Sequence, residues 1–143
     1  MKIRTDYVTN SSSSSYVIAY KKAPGFDEET LTKYPFLKNY YTLIESVLFS
    51  DKGYDTTAGE VCENIIDLKN HIVEHYGWRD QTLEDILEDD DWAREIYEDA
   101  IKYLVQNYNI LFKEIGYSDY SLNDMIKQLA ENNDSIIVLR KED

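Results

Sequence analysis

Hydrophobic and polar positions divide the chain into segments of different period. Ile3, Tyr7 and Val8 mark a short, imperfect strand within residues 1–8. Tyr16-Val17-Ile18-Ala19-Tyr20 is β-branched and aromatic and predicts a stronger one. Residues 9–15, Thr-Asn followed by five serines, read as an exposed loop across which the two strands pair. Serine hydroxyls compete for backbone hydrogen bonds and discourage regular structure. From Asp27 the period becomes helical: Asp27-Glu28-Glu29 suits an acidic first turn. Pro35 interrupts or restarts that helix, and Phe36, Leu37, Tyr40, Tyr41, Ile44, Val47 and Leu48 continue it.

Thr57, with Glu60 three positions on, predicts a capping box for a helix carrying Val61, Ile65, Leu68, Ile72 and Tyr76. Thr82 caps a short acidic helix around Leu83, Ile86 and Leu87. Trp92 then opens a long helix whose apolar residues run to Ile115 and cover much of its circumference, the pattern of a central, buried helix. Ser121 caps a last helix through Leu129, and Ser135-Ile136-Ile137-Val138-Leu139 is the strongest strand. The order β-β-α-α-α-α-α-β predicts one α+β domain over residues 1–143. Its small antiparallel sheet joins two N-terminal strands to the C-terminal one, with about five helices between.

Composition narrows the function. The hydrophobic share of 43% and 13 tyrosines belong to a folded chain, not to a disordered acidic one. A net charge of −13 opposes direct binding of nucleic acid or of an anionic membrane surface, both of which need clustered Lys and Arg. Five scattered glycines make no phosphate-cradling loop. Met1–Asp6 carries no apolar run and no stretch approaches a membrane span, so a cytoplasmic setting is expected. One cysteine, Cys62, excludes an intrachain disulfide framework and reads as a small buried hydrophobe. No resident cofactor is expected, zinc being the alternative.

Thr5-Asp6-Tyr7-Val8-Thr9-Asn10, the serines 11–15 and Tyr16 resemble the opening of a group of uncharacterised proteins from clostridia and related Gram-positive bacteria. Those N-termini read Thr-Asp-Phe-Val-Thr-Asn, a serine run, then Phe; tyrosines stand here at both Phe positions. The resemblance covers about 12 residues and implies a bacterial source, with no activity and no catalytic residue to carry over.

Two features carry candidate chemistry. Both histidines fall in His71-Ile72-Val73-Glu74-His75, the His-x-x-Glu-His order of inverted zinc peptidases. Residues four apart share a helix face, so His71 and His75 reach one ion, with Glu74 as a ligand or as general base of a small metal-dependent hydrolase. The second feature is charge. Residues 80–100 hold ten acids and one base, Arg94, a net −9. Glu84, Asp85, Glu88, Asp89, Asp90, Asp91 and Glu95 are its candidate contacts for a basic protein partner. Asp89-Asp90-Asp91 lacks the spaced ligands of a calcium loop and suits the positive end of a helix. The leading expectation is a non-enzymatic interaction module, the hydrolase its alternative.

Overall fold

A computed structural model of the protein describes residues 12–21, 28–78, 80–132 and 134–143, the side chains of Tyr40 and Tyr41 apart. The strand expected within 1–8, and its pairing, lie outside these residues. The strand expected at 16–20 starts earlier: β1 spans Ser13–Lys21. Ser13, Ser14 and Ser15 are buried strand residues, not an exposed loop. Carboxylates satisfy their hydroxyls in place of water. Ser15 donates to Glu114 at 3.2 Å, Ser13 reaches the same oxygen at 3.5 Å, and Ser14 donates to Asp143.

Pro35 separates α1 (Glu28–Lys33) from α2 (Phe36–Leu48). The capping box expected at Thr57 and Glu60 does not form. The Thr57 side chain accepts from the Glu114 amide at 3.0 Å, and Glu60 opens a three-residue strand, β2 (Glu60–Cys62). Helix α3 (Ile65–Tyr76) begins later, capped by Asn64, which accepts from the Asp67 amide at 2.8 Å. Thr82 caps α4 (Leu83–Asp89) as expected, in a reciprocal box with Asp85. Asp90 caps α5 (Asp91–Leu104), accepting from the Ala93 amide at 3.1 Å.

The long helix expected to run to Ile115 stops at Leu104. Asn107 takes φ +70°, a left-handed conformation that ends helices and that Asn tolerates. The chain then turns into β3 (Tyr108–Gly116). The last helix, α6 (Tyr120–Asn132), is capped by Asp119 rather than Ser121, the Asp119 side chain accepting from the Leu122 amide at 3.1 Å. Strand β4 (Ile136–Glu142) completes the chain.

The described residues therefore form an α+β fold with six helices and a four-stranded sheet of order β2-β3-β1-β4, antiparallel at every pairing. The C-terminal strand joins β1 as expected; β2 and β3 are additions. Both faces of the sheet are covered. Val17, Ala19, Cys62, Ile110 and Phe112 pack against Leu68, Ile72, Ile86, Ile96 and Leu104 of α3, α4 and α5. Tyr16, Ile18, Leu111, Ile115 and Ile136 pack against Ile44, Leu48, Leu122 and Ile126 of α2 and α6. Each such fully buried aliphatic side chain contributes about 1.5–3 kcal/mol relative to exposure.

Candidate functional site

The site begins at Gly59, which takes φ +98°. A Cβ there would lie 2.5 Å from the Leu111 side chain and 3.0 Å from the Phe112 carbonyl oxygen. Glycine alone lets the chain run this close to β3 in this conformation. The next residue, Glu60, is thereby set in register with Phe112. From the other side, the Asn64 cap fixes the start of α3 and so the azimuth of its later turns. His71 is buried and stacks on Phe112, ring centroids 3.7 Å apart at 21°. His75, one turn on, brings its ring to 4.3 Å from that of His71.

The Glu60 carboxylate bridges the two imidazoles. Oε1 lies 3.1 Å from His71 Nδ1 and Oε2 lies 3.0 Å from His75 Nε2. Burial works to raise the Glu60 pKa, but the hydrogen bond and charge of His71, then those of His75, outweigh it and hold the carboxyl below its ordinary value. One ligand atom from each of the three residues lies within 4.8 Å of the others. Glu74 does not belong to this group. It is exposed on α3, about 100° round the helix from its neighbour His75, so the structure brings together His71 and His75 of the expected set and supplies Glu60 in place of Glu74.

Cys62 is buried as expected. Burial, then the charges of Glu60 and Asp67, push its thiol pKa up to about 12, so in the metal-free protein it stays a protonated thiol at neutral pH. A groove of about 370 Å³ opens elsewhere, lined by Tyr16, Ile126 and Val138 among others, and none of its lining residues belongs to the histidine group.

The acidic residues divide by role. Glu84, Asp85, Glu88, Asp89, Asp91, Glu95 and Glu98 are exposed on α4 and α5, whereas Asp90 is half-buried and used as a cap. Arg94 donates to Asp91 at 2.6 Å and to the Leu87 carbonyl at 3.2 Å. Arg140 of β4 pairs with Glu95 at 3.1 Å and Asp99 at 3.4 Å, which partly neutralises that end of the surface. At the other end stands Trp78, 50% exposed. Its amide donates to the Gln81 side chain at 2.9 Å, and Gln81 in turn reaches Asp89 at 3.5 Å.

Sequence reasoning missed Glu60 because it read the residue as part of a helix cap. The available signal was Gly59 directly before the short β-compatible run Glu60-Val61-Cys62. It also missed Lys113, a fully buried lysine whose Nζ donates to the Ser50 carbonyl at 2.5 Å and to the Thr57 carbonyl.

No protein-family model, curated protein or solved structure matches this chain. Among the described residues, no helix is long and apolar enough to cross a membrane.

Proposed function

We propose that the protein is an interaction module that docks a basic partner protein on the exposed surface of α4 and α5. The observation that carries this reading is an exposed tryptophan at the margin of a concentrated acidic face: Trp78 is tied through Gln81 to Asp89, beside Glu84, Asp85 and Glu88. Carboxylates steer an incoming Lys- or Arg-rich segment, and the indole face gives it an anchor worth about 0.5–2 kcal/mol by cation–π attraction. Because Arg140 already holds Glu95 and Asp99, the docking surface centres on α4 and the start of α5. A buried, protonated thiol at Cys62 suits a reducing cytoplasm. The hydrolase alternative draws no support from Glu74, which stands outside the histidine group.

The test uses a Lys/Arg-rich peptide as probe, with fluorescence anisotropy read across a salt series. Asp90 is left in place, since losing a cap costs about 1 kcal/mol. Glu84→Lys, Glu88→Lys and Asp89→Lys together are expected to weaken binding at least about tenfold and flatten the salt slope. Trp78→Ala weakens it several-fold with the slope unchanged. A control triple reverses Glu28, Glu29 and Glu131, exposed acids on other elements. Equal loss in the control and the α4 triple would show a net-charge effect and sink the proposal.

A further inference from the structure

The group formed by Glu60, His71 and His75 has a geometry that the docking reading does not use. Two imidazoles and one carboxylate come from two different elements. One imidazole is locked by stacking on Phe112, and the carboxylate is placed opposite both rings by the β2–β3 register. This donor set, two His nitrogens and one Glu oxygen, is that of three-ligand zinc and ferrous sites, which leave a further coordination position open. We propose that Glu60, His71 and His75 bind one divalent first-row transition-metal ion, of which zinc is the type, through Glu60 carboxylate oxygen, His71 Nδ1 and His75 Nε2.

The three side chains are close enough to converge on one ion. A tetrahedral zinc ion with bonds of about 2.0–2.2 Å holds its ligand atoms about 3.3–3.5 Å apart. His71 Nδ1 and His75 Nε2 now stand 3.1 Å and 3.0 Å from the two different oxygens of the Glu60 carboxylate, and one ligand atom from each residue lies within 4.8 Å of the others, so side-chain shifts of about 1 Å bring one oxygen and both nitrogens onto the ion. In the hydrogen-bonded state the imidazoles face Glu60 with these same nitrogens. Binding moves the ring proton to the other nitrogen of a neutral histidine, or releases one proton from a charged histidine. Access follows from exposure. The His71 side chain is 0% exposed, His75 13% and Glu60 45%, so the ion enters past Glu60 and its open position faces solvent there. Calcium and magnesium demand six or more oxygens or near-octahedral water shells and are poorly matched by two imidazoles.

This site is independent of the acidic docking face, and its test reads metal directly. Full-length protein, stripped with chelator, is titrated with Zn²⁺ by calorimetry and with Co²⁺ by visible absorption. The expected results are one ion per chain and Co²⁺ ligand-field bands of a four- or five-coordinate site. Because His71 is fully buried, its removal confounds folding with binding, so Glu60→Gln and His75→Ala carry the test, with circular dichroism confirming the fold. Each is expected to lower affinity more than about tenfold, while Glu74→Gln leaves it unchanged. Absence of binding at about 100 µM ion, undiminished binding by Glu60→Gln, or loss on Glu74→Gln would each overturn the assignment.

Discussion

Lys113 gives the sharpest quantitative expectation. It lies on the α2/α6 side of β3, is 0% exposed, and ties the Ser50 and Thr57 carbonyls to the sheet. Burial pushes its pKa down from 10.5 to about 8, against the opposing pull of Asp51 and Asp119. The unfolded chain keeps the proton to a higher pH than the folded one. Between the folded and unfolded values the unfolded state therefore binds more protons, and stability rises with pH. From about pH 7.5 to about pH 9 this amounts to roughly 1 kcal/mol in favour of the folded state. For a chain of this size that is a rise in Tm of about 3–5 °C. Cys62 acts in the opposite sense. Its pKa is raised from 9.0 to about 12, so the unfolded thiol ionises first and stability falls as pH climbs through that interval. By about pH 9 that offset is roughly 0.4 kcal/mol. The perturbation that isolates the lysine is Lys113→Met, which keeps the volume and removes the titration. The assay is urea unfolding by circular dichroism at both pH values. Contributions of all other groups cancel in the difference of the two pH slopes, which should be about 1 kcal/mol greater in the parent. A Lys113→Met variant that gains as much stability over this interval as the parent refutes the reasoning, because another group would then own the rise.

Two further outcomes follow from the backbone. Gly116→Ala would set a Cβ 1.9 Å from the Tyr54 carbonyl oxygen. The chain must shift to relieve it, so a loss of at least about 1–3 kcal/mol is expected in urea unfolding, and an unchanged midpoint would deny the close approach. Ser13–Ser15 should show slow amide hydrogen exchange together with residues 16–19, since they belong to a strand paired along its length with β3; fast exchange at Ser14 and Ser15 would return them to a loop.

The elements legible in the sequence are those stabilised by local chemistry. The Thr82 cap, the break at Pro35, the apolar spacing of α3 and the β-branched runs at 16–20 and 135–139 each state their structure within a few residues. The elements that were not legible depend on distant partners. Strand β3 is buried on both faces, Ile110 and Phe112 toward α3–α5 and Leu111 and Ile115 toward α2 and α6. Its centre, Ile110-Leu111-Phe112, is a continuous apolar run with Tyr108 and Ile115 on either side, and apolar residues so spaced directly after a helix extend the helical pattern. Only Asn107 marked the change. The serines of β1 failed as a strand signal because Ser13 and Ser15 find their acceptor, Glu114, about a hundred positions away in the chain.

The candidate metal site repeats this division. The pair His71 and His75 was visible because a helix places residues four apart on one face. Glu74 falls outside the cluster, since adjacency in sequence on a helix means separation by about 100° in azimuth. The third member had to come from another element, and the sequence held a conflict that pointed there. Glu60 can serve as a capping-box partner only if the helix starts near Thr57, yet Gly59 lies inside that first turn, where it disfavours a helix. Removing the helix frees Glu60 to lie in a strand, and the strand register then puts it beside Phe112, the ring on which His71 stacks. A glycine that looks like a flaw in one element is thus the residue that lets Gly59–Glu60 approach β3 closely enough to complete the group.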